Sequence, residues 1–410
     1  MSGVNYACMI TVVGGTYNEY CFEPHWKEIY GSGLRACLAI KKLTPDTPLK
    51  YLTFGDESIS EYLNMQNNLG ISSFVTRINE SIQFYYDHPL INPRIRPRLD
   101  TINKENNKIH VEEDNILYYG FIEGVATVQA KKVVYDPQSP IKPLLFSETK
   151  SSAEELVYVI NLTEARLLSG KLDIPSIIEF FFTNENVFVL VLKKGPKGAL
   201  VVTKDRKEHT IPVYKTDSVW SIGSGDVFAA VFAYHWFSSG DPVFAANEAS
   251  WQTACYCNYK GFQFSTINSN PEILPLRIEN FPTTQVYLAG PFFTFSERWL
   301  INEIWYSFKN FRVKIFSPWH DVGHGVASVV VAKDLQALEQ SAVVFAVLDG
   351  LDSGTLFEVG YAIKKGIPVI GYVENESSES IKMLEGTNCI LEKDLTTAIY
   401  KCFWKIAENE

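Results

Sequence analysis

The second half of the chain alternates short apolar strands with helices, and this alternation restricts its fold more than any other sequence feature. The strands are predicted at Val286–Ala289, Val313–Phe316, Val343–Leu348, Pro368–Tyr372 and Cys389–Leu391. The helices are predicted at Ser296–Phe308, Ser328–Gln340, Thr355–Lys364 and Leu395–Ile406. This α/β order indicates a five-stranded parallel sheet covered on both faces. Right-handed crossovers then bring the strand carboxyl ends, and any ligand, to one edge.

The length of the chain predicts more than one domain. At roughly 150 residues per domain, 410 residues correspond to two or three domains. A polar, proline-bearing stretch at Asn268–Pro271 and Pro275–Pro282 precedes the alternating half. We therefore predict one domain at residues 1–278 and a second at residues 284–410. Within the first, the irregular region 71–118 predicts an antiparallel β flap outside the main sheet.

Composition excludes several functional classes. Apolar residues make up 46% and charged residues 20%, which excludes wholesale disorder. A net charge of −10 opposes a broad nucleic-acid or anionic-membrane surface. No apolar run approaches the ~20 residues of a membrane helix, and Met1–Tyr6 lacks a signal-peptide pattern. The seven cysteines show no disulfide or zinc-site pattern, so we expect a reducing, cytoplasmic location.

A glycine turn at Val219–Phe228 opens into an apolar helix predicted at Val227–Phe237. The N–H groups and dipole at a helix start suit a phosphoryl group in transfer. Gly223 and Gly225 allow the backbone to approach an anion closely. Asp226, in the first turn, is placed either to accept the proton of an attacking hydroxyl or merely to cap the helix.

Two further segments surround this turn in the predicted fold. Asn161 and Glu164 follow a strand end at positions i and i+3, where their oxygens suit Mg²⁺ or its waters. Lys193–Gly198 joins the apolar strands Val187–Leu192 and Ala199–Thr203 as a glycine hairpin.

Together and in this order, the motifs resemble those of the ribokinase-like sugar and nucleoside kinases (the PfkB family) over roughly residues 4–265. Gly14-Gly15, Gly31-Ser32-Gly33 and Phe54–Glu57 add to the resemblance. It implies a ribokinase-like α/β fold that uses ATP and Mg²⁺. The implied roles are a catalytic base (Asp226), an anion hole (Gly223, Ser224, Gly225), magnesium and phosphate contacts (Asn161, Glu164), a border of the ATP site (Lys193, Gly195, Gly198) and a neighbour of the adenine ring (Asn247). For Asn247, a position on the helix surface is an equal alternative.

The substrate end departs from the family pattern. Trp220-Ser221 stands where the family usually has Asp-Thr, and Asn18 replaces the Asp that grips the sugar. Beside the glycines Gly31 and Gly33, which belong to the same substrate end, Arg35 stands where the family often has Asn. Arg35 in a sugar pocket favours an anionic substrate, and the alternative is a surface side chain near the flap.

A second site is predicted after the strand Val343–Leu348. An acidic glycine turn leads into a helix with Glu358 near its start, where the dipole favours the ionised carboxylate that a nucleophile requires. Asp352 and Asp334 add carboxyl groups at the same sheet edge. N-glycosidic chemistry needs one carboxylate to trap the oxocarbenium-like C1′ and another acid to protonate the departing base. The alternative is a set of exposed acids at a helix start.

With Val286–Phe293, this stretch resembles the nucleoside 2-deoxyribosyltransferases across residues 284–410, which implies a flavodoxin-like domain. The implied roles are the nucleophile (Glu358), its orienting partner (Tyr287), the sugar contact (Asp352, in the turn with Gly354), the general acid at the base (Asp334) and the stacking rings (Phe292, Phe293). Lys382 stands where the family brings an Asn from a neighbouring subunit, so it either contacts a 5′-phosphate or is a surface lysine. His320 and His324 lie in a substrate loop and are weak candidates for metal ligands.

The two resemblances together imply a bifunctional salvage enzyme. One half breaks or exchanges the N-glycosidic bond of a (deoxy)nucleoside or nucleotide, and the other phosphorylates a nucleoside or a sugar with ATP. The alternatives are a nucleotide N-glycohydrolase with a regulatory kinase-like half, and a nucleotide-sensing module with neither activity. Small-molecule substrates are the expected partners. A homo-oligomer is expected because both families build sites or lids at subunit contacts and the flap has exposed-strand character.

Overall fold

A computed structural model describes residues 9–102, 104–139, 142–267, 269, 273–276 and 284–408. The chain divides into two compact units. Unit 1 comprises Met1–Asp87, Asn92–Thr216 and Trp220–Pro275, and unit 2 comprises His88–Ile91, Asp217–Val219 and Leu276–Glu410. The predicted boundary falls on residues 277–283, which lie outside the described residues, so its exact position stays a prediction.

Unit 1 is built on a large, mostly parallel sheet. Its strands are β1 (Ile10–Val13), β2 (Asn18–Cys21), β3 (Trp26–Ile29), β4 (Leu49–Gly55), β5 (Ile71–Arg77), β6 (Gln83–Tyr86), β7 (Arg94–Arg96), β8 (Lys108–Tyr119), β9 (Val125–Asp136), β10 (Ser152–Asn161), β11 (Val189–Lys193), β12 (Ala199–Thr203), β13 (Glu208–Ile211), β14 (Val213–Lys215) and β15 (Leu274–Leu276). Nine form one sheet in the order β13-β12-β11-β10-β9-β8-β1-β4-β5. The pairs β11–β12 and β12–β13 are antiparallel, and the other pairs are parallel.

The flap is a separate four-stranded sheet in the order β3-β2-β6-β7. The predicted flap at 71–118 was therefore wrong at both ends, because β5 and β8 belong to the main sheet. It also omitted β2 and β3, and the pair β2–β6 is parallel, not antiparallel. The sequence of this region does not reveal pairing between strands that are distant along the chain.

Helices cover both faces of the main sheet. They are α1 (Gly31–Leu43), α2 (Glu57–Met65), α3 (Leu162–Ser169), α4 (Ile174–Asn184), α5 (Ser224–Ser239) and α6 (Pro242–Tyr259). Helices α1, α5 and α6 pack in one hydrophobic core with the sheet, and α3 and α4 pack in another. Helix α5 is buried on nearly all sides, which explains its apolar sequence. It begins three residues before the predicted start, and Asp226 lies in its first turn.

Unit 2 contains the five-stranded parallel sheet that the alternation predicts. Its strands are β16 (Gln285–Ala289), β17 (Lys314–Phe316), β18 (Val343–Val347), β19 (Val369–Tyr372) and β20 (Ile390–Glu392). Its helices are α7 (Phe295–Asn310), α8 (Ala327–Glu339), α9 (Ser353–Lys364), α10 (Ser378–Glu385) and α11 (Leu395–Glu408). All strand pairs are parallel, in the order β17-β16-β18-β19-β20. The predicted flavodoxin-like class is confirmed, and α10 is additional to the predicted helices.

The two faces of this sheet have separate hydrophobic cores. Val286, Phe345 and Ile370 contribute to the first, and the neighbouring Tyr287 and Val344 to the second, as strand alternation requires. In the part of the chain that the structure describes, no helix is both long enough and apolar enough to cross a membrane.

Candidate active sites

The strand order of unit 2 places one candidate site between β16 and β18. The order reverses between these two strands, and ligands of such sheets bind beyond the strand carboxyl ends at that point. Tyr287 lies on β16, and its hydroxyl donates a hydrogen bond of 2.6 Å to Oε1 of Glu358 on α9. The structure therefore brings together two residues that the sequence places 71 positions apart.

The surroundings of Glu358 raise the pKa of its carboxyl group towards neutral pH. Burial raises the pKa of Glu358 to about 7, and the charges of Asp334 and Asp352 act in the same direction. The hydrogen bond from Tyr287 opposes this shift because it stabilises the carboxylate. Above about pH 7, most of Glu358 is thus a poorly solvated carboxylate, which is the form that attacks carbon.

Asp334 on α8 has the environment of a proton donor. Its side chain is buried, with 8% relative exposure, and burial raises its pKa. Its Oδ1 atom is buried and has no hydrogen-bond partner among the described residues. A buried polar atom without a partner is costly, so a ligand that supplies one is favoured here.

Asp352 has a structural role at the start of α9. It is the N-cap residue, and its Oδ2 accepts hydrogen bonds from the amide (2.8 Å) and hydroxyl (3.0 Å) of Thr355. A Cβ atom on Gly354 would lie 3.1 Å from the same oxygen, so glycine leaves the cap unobstructed. The sugar contacts predicted for this turn stay predictions.

Aromatic rings line the loop after β16. Phe292 and Phe293 stack with centroids 5.3 Å apart, and the Trp319 ring lies 5.6 Å from Phe292. Nη1 of Arg298 donates to the Phe293 carbonyl at 3.1 Å, which holds the loop. Trp319 and Arg298 were not predicted from the sequence; the only sequence signal for Trp319 was its place beside His320 in the predicted substrate loop.

The other residues of unit 2 that the sequence singled out either contact neighbouring side chains or are exposed. The two ring nitrogens of His320 lie 2.8 Å from Asn302 Oδ1 and 3.1 Å from Ser317 Oγ, which leaves neither for a metal. His324 packs edge-on against Trp319. The Lys382 side chain on α10 is 69% exposed and pairs with Glu379 at 3.2 Å.

In unit 1, Asp226 is buried and its carboxylate is held on both oxygens. Nη1 of Arg35 donates to Oδ2 at 2.7 Å, and Nε2 of Gln138 donates to Oδ1 at 2.5 Å. The Tyr119 hydroxyl also donates to the Asp226 carbonyl at 2.8 Å. Gly223, directly before α5, has φ +76°, a conformation that favours glycine.

Arg35 is enclosed between two carboxylates. It is 1% exposed, so the alternative of a surface side chain is wrong. Its Nη2 donates to Glu19 Oε2 at 2.5 Å, and the other Glu19 oxygen accepts from the Gly31 amide at 2.9 Å. A Cβ atom on Gly223 would lie 2.1 Å from Arg35 Nε, so the guanidinium lies directly against the turn.

The other glycines and Asn18 lie around this arrangement. Cβ atoms on Gly31 and Gly33 would approach the carbonyl oxygens of Gly15 and Gly14 to 2.5 and 2.6 Å, so both allow close backbone packing. Asn18 lies on the flap strand β2, one residue before Glu19, and their side chains leave opposite faces of the strand. The substrate contacts predicted for these residues stay predictions.

A cluster of charged groups lies around Lys193, close to the start of α5. Lys193 Nζ donates to Asp136 Oδ2 at 2.7 Å and lies 3.4 Å from where a Cβ of Gly225 would be. Burial raises the pKa of Asp136 to about 7, although Lys193 opposes the shift. Burial also raises the pKa of Glu164, which forms a capping box with Asn161 at the start of α3. Asp136, Glu19 and Gln138 were not predicted from the sequence.

The predicted turn Lys193–Gly198 is a hairpin between the antiparallel strands β11 and β12, as expected. Gly195–Lys197 forms a short helical turn, and Gly198 has φ +74°. Asn247 on α6 donates to the Val243 carbonyl one turn earlier, at 2.8 Å. Its geometry is that of a helix-surface side chain, and its contact with adenine stays a prediction.

Comparison with known proteins finds one family match in each half of the chain. The model of the nucleoside 2-deoxyribosyltransferases matches residues 286–393, and that of the pfkB family carbohydrate kinases matches residues 109–269. The chain joins a PfkB-like kinase segment to a nucleoside 2-deoxyribosyltransferase-like segment. Unit 1 is called the kinase-like unit below, and unit 2 the transferase-like unit.

Individual relatives match over shorter stretches or at lower identity. The deoxyribokinases of Salmonella typhi and Salmonella typhimurium are each 34% identical over 76 residues, which is 18% of this chain and 24% of theirs. The match thus spans about a quarter of these relatives. Ribokinase from Thermotoga maritima (17% identity, TM-score 0.46) and fructokinase from Vibrio cholerae (13%, TM-score 0.47) are similar structures. Each comparison covers 62% of this chain, and 95% and 94% of the other chain, respectively.

The kinase-like unit has donors of the type that a magnesium–phosphate group needs. Asp136 and Glu164 offer oxygens, Asp136 Oδ1 is buried without a hydrogen-bond partner among the described residues, and Lys193 offers a cation. Within the described ranges, no group of three or more His, Cys, Asp and Glu side chains is arranged to hold a metal ion. The predicted Mg²⁺ contacts of Asn161 and Glu164 therefore stay predictions.

The Tyr287–Glu358 hydrogen bond predicts a pH dependence in the transferase-like unit. Because burial raises the pKa of Glu358 to about 7, we expect any reaction that needs its carboxylate to be slow at pH 5 and to become faster as the pH rises through 7. Tyr287→Phe removes the bond that favours the carboxylate, so the rise is expected at higher pH. Rates of base release between pH 5 and pH 9 measure the shift. An unchanged profile in Tyr287→Phe would contradict the assignment of this titration to Glu358.

Proposed function

We propose that the chain is a bifunctional enzyme of nucleoside or nucleotide metabolism. The transferase-like unit cleaves the N-glycosidic bond of a (deoxy)nucleoside or nucleotide, with water or a second base as acceptor. The kinase-like unit transfers a phosphoryl group from ATP to a sugar or nucleoside. The observation that supports the first activity best is the 2.6 Å hydrogen bond between Tyr287 and Glu358 at the switch point of the sheet.

In the first reaction, two carboxyl groups divide the work. The Glu358 carboxylate attacks C1′ as the bond to the base breaks, while Asp334, whose pKa burial raises, gives its proton to the departing base. The acceptor then attacks C1′ and releases Glu358, after giving its proton to Asp334. Tyr287 orients the nucleophile through its hydroxyl, and Phe292, Phe293 and Trp319 offer faces for stacking on the base.

In the second reaction, the proposed base is Asp226. Bound ATP with Mg²⁺ supplies the phosphoryl group. Asp226 accepts the proton of the acceptor hydroxyl, and the amides at the start of α5 face the transferred charge. A sugar acceptor is favoured because two relatives are named deoxyribokinases. Hydrolysis of a deoxynucleoside in the other unit would release such a sugar.

A second candidate function rests on one observation in the kinase-like unit. Both carboxylate oxygens of Asp226 already accept hydrogen bonds, from Arg35 and Gln138. Because these two bonds engage the carboxylate that would act as the base, they favour a nucleotide N-glycohydrolase whose kinase-like unit has a regulatory role.

Product analysis separates these functions. The whole chain is incubated with a panel of nucleosides, nucleotides and their free sugars, with and without ATP and Mg²⁺, and the products are identified by mass spectrometry. Free or exchanged base with sugar-dependent ADP supports the bifunctional enzyme, and base release without ADP supports the second candidate. Absence of base release from every substrate would reject both.

Lys382 tests whether the substrate carries a 5′-phosphate. If the lysine binds that phosphate, Lys382→Ala is expected to raise KM for nucleotides by roughly 10-fold or more, the loss of one charge-assisted contact, and to leave nucleosides nearly unaffected. Steady-state cleavage of a deoxynucleoside and its 5′-monophosphate measures this. Lys364→Ala, in the last turn of α9, is a control. An unchanged ratio of the two substrates means that Lys382 is a surface residue, as its pairing with Glu379 also allows.

We also propose that the chain forms a homo-oligomer. The transferase-like unit exposes large apolar side chains on three helices or their flanks, namely Val326, Phe357 and Met383, and such surfaces are often contact sites. Light scattering at micromolar concentration is expected to give a mass above the 46.4 kDa of one chain. A monomer that carries out both reactions would contradict this prediction.

A further inference from the structure

The guanidinium of Arg35 lies where an acceptor must approach Asp226. A hydroxyl that gives its proton to a carboxylate needs its oxygen within about 2.6–3.2 Å of that carboxylate. Arg35 Nη1 already lies 2.7 Å from Asp226 Oδ2, and Gln138 Nε2 lies 2.5 Å from Oδ1. Each carboxylate oxygen has a second lone pair, so the acceptor hydroxyl has to share an oxygen with one of these donors or displace it.

Two contacts and the open space beside Gly223 hold Arg35 in this position. Glu19 pairs with its second terminal nitrogen and is itself held by the Gly31 amide. The guanidinium carbon lies 5.0 Å from the centroid of the Tyr30 ring, which adds a cation–π contact. The absence of a side chain on Gly223 provides the space that Nε fills. Arg35 thus connects the flap strand β2 and helix α1 to the first turn of α5.

A purely structural ion pair does not account for every atom of this arrangement. Arg35 Nε is buried and has no hydrogen-bond partner among the described residues, although it is a donor on a fully buried cation. Burial without a partner costs free energy. The ion pairs with Glu19 and Asp226 therefore leave one buried donor of Arg35 unused.

We propose that Arg35 is a positioning residue that suppresses phosphoryl transfer in the kinase-like unit by occupying the Asp226 carboxylate. This proposal rests on the proposed kinase function and restricts it: transfer to a neutral hydroxyl is slow while Arg35 is paired with Asp226. Asn, which the family often has here, is too short to donate to Asp226 in the same way.

The test removes the guanidinium together with the charge of one of its two carboxylate partners. In Arg35→Asn/Glu19→Gln, one positive and one negative group are lost together, so the balance of buried charge is kept. We expect kcat for phosphorylation of 2-deoxyribose by ATP–Mg²⁺ to rise by about 10-fold or more, a fraction of the usual 10²–10⁴ contribution of a general base. Glu19→Gln alone and Arg35→Lys keep a cation near Asp226 and are expected to show no gain. Circular dichroism and thermal unfolding establish that each variant is folded.

The outcomes distinguish this proposal from the function on which it rests. A gain in kcat that disappears when Asp226→Asn is added supports both. A folded double variant that is no faster than the unsubstituted chain, when that chain itself makes sugar-dependent ADP, overturns the proposal and keeps the kinase function. Absence of sugar-dependent ADP from both proteins overturns both. A gain that appears equally in Glu19→Gln would assign the suppression to Glu19 and contradict the role of Arg35.

Discussion

Glu358→Gln is expected to slow base release from a deoxynucleoside by roughly 10³-fold or more, because the amide keeps the volume but is no nucleophile. Glu358→Ala is expected to lose as much, since the described neighbours Asp334 and Asp352 have other roles. Without the carboxylate, nothing traps the developing cation at C1′. The measurement is free base released at pH 8, where the unsubstituted Glu358 is ionised.

A matched substitution and the stability of the variant complete this test. The control is Glu385→Gln, which changes an exposed acid on α10 and is expected to release base at the parent rate. The raised pKa of Glu358 means that the folded state favours the protonated form of this carboxyl group. The group therefore contributes its full stability below 4.5, the pKa of a glutamate in the unfolded chain. That contribution is lost as the pH rises through about 7. Glu358→Gln avoids the loss, so its melting temperature relative to the parent is expected to be higher at pH 8 than at pH 5. A variant that stays folded and still releases base at the parent rate would reject Glu358 as the nucleophile.

The sequence predicted the strands and helices around the transferase-like site well because their signals are local. Strand, acidic turn and helix follow one another between Val343 and Ala362, and the parallel topology then brings Tyr287 to Glu358. The five strands were all found at nearly the predicted positions. Trp319 was missed because nothing in its own segment shows that its ring packs on Phe292.

The kinase-like site was predicted less completely because its central contacts join distant segments. Arg35 and Asp226 are 191 positions apart, and Gln138 and Asp226 are 88 apart. No periodicity reports such pairs. The sequence left Arg35 either in a sugar pocket or on the surface, and its burial between Glu19 and Asp226 removes the second alternative. The flap was misplaced for the same reason, since β2 pairs with β6 across more than 60 residues.

Asp226→Asn is expected to reduce sugar-dependent ADP formation by roughly 10²-fold or more, the usual effect of losing a general base. The amide retains the shape and still offers an oxygen to Arg35, so the buried contact that holds α1 against α5 is weakened but not removed. Base release by the transferase-like unit is expected to persist. ADP and free base are measured in the same reaction, so that one preparation reports both chemistries.

The control for this variant is another aspartate at a helix start. Asp241 caps α6 through hydrogen bonds to the amides of Val243 and Phe244, and asparagine caps a helix about as well as aspartate. Asp241→Asn is therefore expected to phosphorylate at the parent rate. If Asp226→Asn behaves like Asp241→Asn, Asp226 is a helix-capping and ion-pairing residue and the kinase assignment of this turn is wrong. If ADP formation falls only in Asp226→Asn while base release continues in both, the carboxylate that Arg35 holds is the base, and the two reactions use separate groups of the same chain.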